Sequence, residues 1–427
     1  MNKIDLNNHP CFNDKVRHKY GRVHLPVAPR CNIQCNFCNR KFDCVNESRP
    51  GVSSAILMPE EALKYLDRIL IEKPQIKVVG IAGPGEPFAN PSETMDTLRL
   101  VSDKYPEMIL CVSSNGLNIL PYIDELSELN TSHVTITVNA IDPVVAEKIY
   151  SWVRYGKRIR NSEEGVKILL ENQLNAIKKL KEKKIIVKVN SIIIPGVNDD
   201  HILEVAKEMK NLGVDILNCI PLYHNPDSNF AGIKEPSKEL VAKIRREAGA
   251  YIKQMFHCAR CRADAVGLLG EKMNDEIILR IKEAKIDGND EKTIALLPER
   301  PNIAVASNEG ILINRHLGEA DELLIYGNKN NRLKLLGTRK TPEKGDGLGR
   351  WKMLANILND CSYLLVNGAG DTPKGILKSS GINVLVLEGM IEDAVLSIFN
   401  GKSINHLLKR KLTVCGQSCS NSGGGCG

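Results

Sequence analysis

Six times in succession the chain passes from a short, apolar, β-branched run into a stretch of helical period, and this alternation restricts the fold more than any other feature. The strand candidates are "VHLPVA", "IKVVGIAG", "MILCVSSN", "HVTITVNA", "IIVKVNSIII" and "VDILNCIPLY". Between and after them stand "PEEALKYLDRIL", "PSETMDTLRLVSDKY", "PYIDELSELN", "EEGVKILLENQLNAIKKLKEKK", "HILEVAKEMKNLG" and "PSKELVAKIRREAGAYIKQ". Strand-then-helix units in series build a parallel sheet, because parallel neighbours need crossover helices, and such crossovers are right-handed. The expectation is an α/β fold with a partial (β/α)6 TIM-like barrel. Its chemistry should gather at the carboxyl ends of the strands.

A chain of 427 residues exceeds one ordinary core. Residues 1–272 carry the barrel, and 273–300, charged and weakly periodic, read as a linker with some helix. Residues 301–412 alternate again, as a short-stranded meander followed by helices and strands in turn, so a small α/β domain is expected there. The tail, 413–427, "TVCGQSCSNSGGGCG", is rich in Gly, Ser and Cys and reads as flexible. No apolar run is long enough to span a bilayer, and the start, "MNKIDLNNHPCFNDK", lacks the organisation of a signal peptide, so a cytoplasmic location is expected. The net charge of +7 is spread over helix faces such as "AIKKLKEKK", and an aromatic content of 4% offers few stacking rings. No nucleic-acid partner is expected from that pattern.

In a reducing compartment, thirteen cysteines point to metal or redox chemistry where they cluster. Cys31, Cys35 and Cys38 have the spacing CxxxCxxC directly after the first strand. Three thiolates on one tight loop can hold three irons of a 4Fe-4S cluster and leave the fourth open to substrate. A zinc site would want a fourth ligand from a second CxxC-like pair. After the second strand comes "GPGEP", Gly83 to Pro87, where glycines let backbone approach a ligand and Glu86 offers a carboxylate suited to an ammonium group. Taken alone it is equally a strand-to-helix turn. "SSNG" (Ser113–Gly116) and "TVNA" (Thr137–Ala140) are polar ends of strands three and four. Cys44 lies in the loop of the cysteine triad, Cys111 in strand three and His24 in strand one; a lone Cys or His in a strand is ordinarily core. Cys11 in "HPCF" and the pair Cys258 and Cys261 in "HCARC" flank the barrel, so the two ends can meet at its mouth. Cys219 and Cys361 read as buried apolar cysteines.

Taken together, the CxxxCxxC loop, the Gly-Gly-Glu-like motif after strand two and the six βα units resemble the radical S-adenosylmethionine superfamily, with Pro84 between Gly83 and Gly85 as a departure. The resemblance implies that the open iron chelates the methionine amino and carboxylate groups of S-adenosylmethionine. Gly85, Glu86, Ser114, Asn115, Thr137, Asn139 and Ile192 are then expected cofactor contacts. "HPCF", "HLPVAPRCNIQCNFCNRKFDCVNESRPGV", "GIAGPGEP", "VNSIIIPGVND" and "CARCRADAVG" are similar to the branch of the superfamily that builds the precursor of the nitrogenase iron-molybdenum cofactor. Residues 301–412 resemble the ribonuclease H-like, NifX-type cofactor-binding domain.

That resemblance implies three 4Fe-4S clusters: Cys31, Cys35 and Cys38 for the radical cluster, His24, Cys44 and Cys111 for one precursor, and Cys11, Cys258 and Cys261 for the other. It implies fusion of the two precursors with a sulfur and a carbide derived from S-adenosylmethionine. It also implies an iron-sulfur cluster donor, an electron donor such as ferredoxin, and a cofactor carrier or nitrogenase maturation scaffold as partners. Glu47 and Arg49 read as hydrogen-bond donors or acceptors to a cluster or cofactor, or as a salt-bridged loop. "IIIPGVND" should turn the chain over the cofactor, with Asn198 and Asp199 able to cap the next helix. His316 reads as a ligand for a transferred cluster or a plain surface histidine, and Cys415, Cys419 and Cys426 as thiols that catch iron or as incidental ones. Two other readings stand beside this one: another radical S-adenosylmethionine enzyme with auxiliary clusters, and a non-enzymatic iron-sulfur scaffold.

Overall fold

A computed structural model describes residues 6–39, 42–46, 52–156, 158–225, 227–271, 274–284, 296–308, 310, 312–329, 332–343, 345, 347–401, 404 and 407–408. Glu47, Arg49 and the tail cysteines Cys415, Cys419 and Cys426 lie outside the described residues. The chain divides into two compact units, essentially residues 1–292 and 293–427.

In the first unit the strands are β1 (Gly21–His24), β2 (Ile33–Cys35), β3 (Ile76–Ile81), β4 (Ile109–Ser114), β5 (Thr131–Thr137), β6 (Tyr150–Tyr155), β7 (Arg158–Asn161), β8 (Ile186–Ile193), β9 (Ile216–Pro221) and β10 (Val266–Gly267). The helices are α1 (Pro59–Glu72), α2 (Pro91–Lys104), α3 (Ile123–Glu128), α4 (Pro143–Ile149), α5 (Ser162–Glu182), α6 (Ile202–Asn211), α7 (Lys238–Gly249) and α8 (Asp275–Ala284). The main sheet runs β10-β1-β3-β4-β5-β8-β9, with β10 antiparallel to β1 and every other neighbour parallel. The six parallel strands are the six expected from the alternation.

The two faces of this sheet differ in chemistry. Val23, Val79, Ile81, Leu110, Val112, Val134, Ile136, Val187, Val189 and Leu217 point outward and pack with the helices into one apolar core. The alternate positions, Arg22, His24, Cys111, Ser113, His133, Thr135, Thr137, Lys188, Asn190 and Asn218, put polar groups on the inner face, as the period-two geometry of a strand requires. A barrel closed only for stability would fill that interior with branched apolar side chains. This one reserves it for chemistry.

Three local findings go beyond the sequence reading. β2 pairs with an antiparallel hairpin of β6 and β7 in a separate three-stranded sheet, so a segment with no expected element braces the cysteine loop. Within 273–300, α8 buries Ile277, Ile281 and Ala284 in the barrel's own apolar core. Neither Asn198 nor Asp199 caps α6, whose N-cap is His201. Asn198 instead holds the preceding turn, donating to the Asn139 and Ile192 carbonyls and accepting from the Ile194 N–H, each at 2.8 Å. Asp199 accepts from the Gly196 N–H.

The second unit has β11 (Asn302–Val305), β12 (Glu322–Lys329), β13 (Arg332–Lys340), β14 (Cys361–Val366) and β15 (Asn383–Val386), in the order β13-β12-β11-β14-β15. Helices α9 (Gly347–Ile357), α10 (Asp371–Ser379) and α11 (Ile391–Phe399) alternate with its later strands. Apolar clusters lie on both sides of the sheet, which is why β14 is buried along its whole length.

Candidate active site

The loop after β1 is stitched to the turn after β3 by backbone bonds. The Gly85 N–H donates to the Ala28 carbonyl and the Glu86 N–H to the Arg30 carbonyl, both at 2.7 Å, and the Cys44 N–H donates to the Pro84 carbonyl at 2.9 Å. A Cβ at Gly85 would sit 2.3 Å from the Arg30 carbonyl oxygen, so only glycine allows the two loops to meet. Buried Asn90 locks the same junction by donating to the Arg30 and Glu86 carbonyls. The motif therefore serves the chain's own approach to the cysteine loop.

Glu86 is buried, and its carboxylate is aimed by three donors: the Phe88 N–H and Ser114 hydroxyl on Oε1, and the Asn115 N–H on Oε2. Cys35 is buried at the end of β2, and Cys31 and Cys38 are half-buried. Gln34 donates to the Cys35 and Cys38 carbonyls, which fixes the tight turn. Side-chain amides reach the sulfurs: Asn46 Nδ2 lies 3.8 Å from Cys35 Sγ and 3.7 Å from Cys44 Sγ, and Asn115 Nδ2 lies 4.0 Å from Cys31 Sγ.

A cavity is lined by Cys31, Cys35, Cys38 and Cys44 on one side and by Gly85, Glu86, Ser114, Asn115 and Thr137 on the other. Asn139 and Ile192 are not among its lining residues. Asn139 is fully buried, donating to Asn46 and to the Tyr150 hydroxyl while accepting from the Ile192 N–H. Through Asn46 it acts on the cysteines at one remove. Gln173, which sequence reasoning missed, donates to the carbonyls of Asn115 and Thr137. An apolar-faced helix with one buried amide is the signal that could have found it.

A second cavity lies inside the barrel, and His9, Cys11, His24, Cys111, Cys258 and Cys261 are among its lining residues. Ser113 lines both cavities and marks their seam. In register, His24 pairs with Gly80 and Gly80 with Cys111, so the three share one face, and a Cβ at Gly80 would stand 3.0 Å from the His24 ring. The missing side chain makes room for the imidazole. His24 Nδ1 donates to the Arg262 carbonyl, which leaves the lone pair on Nε2. Burial and the Arg22 charge lower its pKa to about 4, so it is a neutral donor near pH 7.

Burial pushes the Cys11 thiol up to about 12, a group that only a metal would deprotonate at neutral pH. Cys44 opens on the first cavity rather than on this one. Among the described residues no three His, Cys, Asp or Glu side chains stand close enough to hold a metal ion; the thiols border two chambers instead. Cys219 and Cys361 are buried in apolar cores. His316 is exposed and accepts from the Gly318 N–H as an N-cap.

The six-stranded parallel sheet and the cysteine loop facing an aimed carboxylate define a radical S-adenosylmethionine enzyme, and residues 25–218 match the family described as the radical SAM superfamily. Residues 300–401 match the family described as dinitrogenase iron-molybdenum cofactor. The "FeMo cofactor biosynthesis protein NifB" of Chlorobaculum tepidum is 54% identical over 99% of this chain and 99% of its own. Its namesakes from Frankia alni and Azotobacter vinelandii are each 37% identical, over 92% and 93% of this chain and 87% and 88% of theirs. The chain belongs to the NifB family of FeMo cofactor biosynthesis proteins. Membership implies a 4Fe-4S cluster and S-adenosylmethionine. No helix among the described residues is long and apolar enough to cross a membrane.

Proposed function

We propose that this enzyme fuses two 4Fe-4S clusters, a sulfur and a carbon from S-adenosylmethionine into the eight-iron, carbide-centred NifB cofactor. The observation that carries the reading is the pair of chambers meeting at Ser113, one bearing the cysteine triad and Glu86, the other bearing six further Cys and His side chains. When bound, the triad's cluster with S-adenosylmethionine supplies a 5′-deoxyadenosyl radical and a methyl group. Cys31, Cys35 and Cys38 hold that cluster, while Asn115 and Asn46 donate to their sulfurs. Glu86, fixed by three donors, takes the cofactor's ammonium group, and Thr137 lines its seat.

His24, Cys111 and Cys44 hold one precursor across the seam, with Cys44 reaching from the first cavity's side. Cys11, Cys258 and Cys261 hold the other. The buried walls keep water from the reacting centre, as cofactor enzymes require. Residues 301–412 form the NifX-like domain that holds product for delivery. The protein works in the cytoplasm with an iron-sulfur cluster donor, an electron donor such as ferredoxin, and a cofactor carrier or maturation scaffold.

The test is anaerobic reconstitution with reductant and S-adenosylmethionine. Both 5′-deoxyadenosine and S-adenosylhomocysteine should form; absence of the second would remove methyl transfer and with it the fusion reading. Cys44→Ala should abolish carbide-cluster formation while sparing adenosylmethionine binding.

A further inference from the structure

The inner chamber carries three cations that the cysteine sets do not account for. Arg22, Lys188 and Arg260 all line it, they are 2%, 8% and 6% exposed, and no Asp or Glu is among its lining residues. Arg22 is pinned by the Gly267 and Leu268 carbonyls, and its Nη2 donates to Cys261 Sγ at 2.9 Å. Arg260 stands between the two cysteines of "CARC" with a φ of +46°, a conformation that costs a side-chain-bearing residue energy. Its guanidinium lies 4.1 Å from the Tyr223 ring and donates to the Val45 carbonyl, with Tyr223 as a second side-chain partner. Arg260 Nε and Nη1 and Arg22 Nε are buried donors without a partner among the described residues. Lys188 lies 5.8 Å from the Phe12 ring, on the strand face that also carries Asn190.

Buried like charges repel in a medium of low dielectric, and each carries a desolvation cost that only a nearby anion offsets. Among the described residues no carboxylate lines the chamber; Glu271 acts on Arg22 and Glu235 on Arg260 from outside it. Thiolate-bound iron-sulfur clusters are anionic, and hydrogen bonds to their sulfurs and nearby charge set their potentials.

From these contacts we infer that Arg22, Lys188 and Arg260 form a charge-compensating wall that retains anionic iron-sulfur species in the inner chamber and raises their reduction potential. The inference rests on the reading of Cys11, Cys258 and Cys261 as cluster ligands. The three cations are positioning residues. They act on the bound cluster through its sulfurs and its total charge.

The test uses the full chain, reconstituted anaerobically with iron and sulfide, and compares wild type with Arg260→Gln, Lys188→Met, Arg260→Lys and Cys258→Ala. The readouts are iron loss to a ferrous chelator and cluster midpoint potential by electron paramagnetic resonance. Arg260→Gln and Lys188→Met should each lose inner-chamber iron about tenfold faster and shift the midpoint negative, tenfold being the factor expected for one lost charge-assisted contact. Arg260→Lys should restore both values, and the radical cluster's response to S-adenosylmethionine should be unchanged throughout. Wild-type loss rate and potential in Lys188→Met and in a folded Arg260→Gln would overturn the inference, as would a defect that Arg260→Lys fails to restore. If Cys258→Ala keeps its full iron content, the ligand reading fails; if it loses iron while the charge variants behave as wild type, only the present inference fails.

Discussion

Glu86 is a carboxylate whose position is set by neighbours that never need to touch the ligand. The Ser114 hydroxyl donates to it at 2.7 Å and the Asn115 N–H at 2.6 Å, so its ligand-facing geometry is prepared before anything binds. Ser114→Ala removes one of these donors and leaves a small void. Adenosylmethionine affinity should fall about tenfold, the effect of roughly 1.5 kcal/mol lost with one hydrogen bond to a charged group. Titration calorimetry under anaerobic conditions measures it, and an unchanged affinity would show that the hydroxyl does not orient Glu86. CxxxCxxC and Glu86 were legible in the sequence because each is contiguous and chemically distinctive. Asn46, Asn90 and Gln173 share the amide work with Asn115 and Asn198, and unlike those two they stand in no motif that marks them along the chain.

At the scale of elements, the β6–β7 hairpin is what keeps the cysteine loop in place. β2 ends in Cys35 and pairs with β6, and α5 lies against the same hairpin. Gly165, in the first turn of α5, is where the helix comes closest: a Cβ there would stand 2.8 Å from Val153 Cβ. Gly165→Ala should therefore destabilise the first unit by about 1–3 kcal/mol through overpacking, despite alanine's better helix propensity. Denaturant unfolding checks the sign; a stabilised variant would mean that the contact has slack. "YSWVRYGKRIRN" does alternate around a glycine turn, but its outer face is polar and exposed, so it lacks the apolar run that marked the barrel strands. The six barrel strands and their helices stood out because each buries a continuous apolar face.

For the whole molecule, the polar barrel interior makes stability depend on pH. Burial lowers the pKa of His24 to about 4 and of His133 to about 3, and lowers that of His9 as well, so all three stay neutral in the folded, metal-free chain. The unfolded chain takes up these protons below about 6.5, so it binds more protons than the native state and stability falls with pH from there toward 4. His24 alone accounts for roughly 3 kcal/mol of loss by pH 4. Asp43, raised to about 6 by burial, works in the opposite direction between 3.8 and 6, and three imidazoles outweigh it. Melting temperatures should drop across that window, and His133→Phe, beside the Phe12 and His9 rings, should make the drop shallower. A flat profile would show that these imidazoles are hydrated.

The order of strands and helices, the cysteine triad and the second alternating domain could be read along the chain because they follow from local sterics and apolar periodicity. Which thiols share a chamber could not. Cys11, Cys111 and Cys258 come from distant parts of the sequence, and they meet because strand register puts His24, Gly80 and Cys111 on one inner face while "HPCF" and "CARC" close over it. Cys44, close to the triad in sequence, faces the triad's cavity for the same reason: the Pro84 carbonyl binds its backbone there. Lys188, Arg22 and Arg260 become a single feature only once the barrel has curled, since a charge facing inward looks along the chain like any other charge.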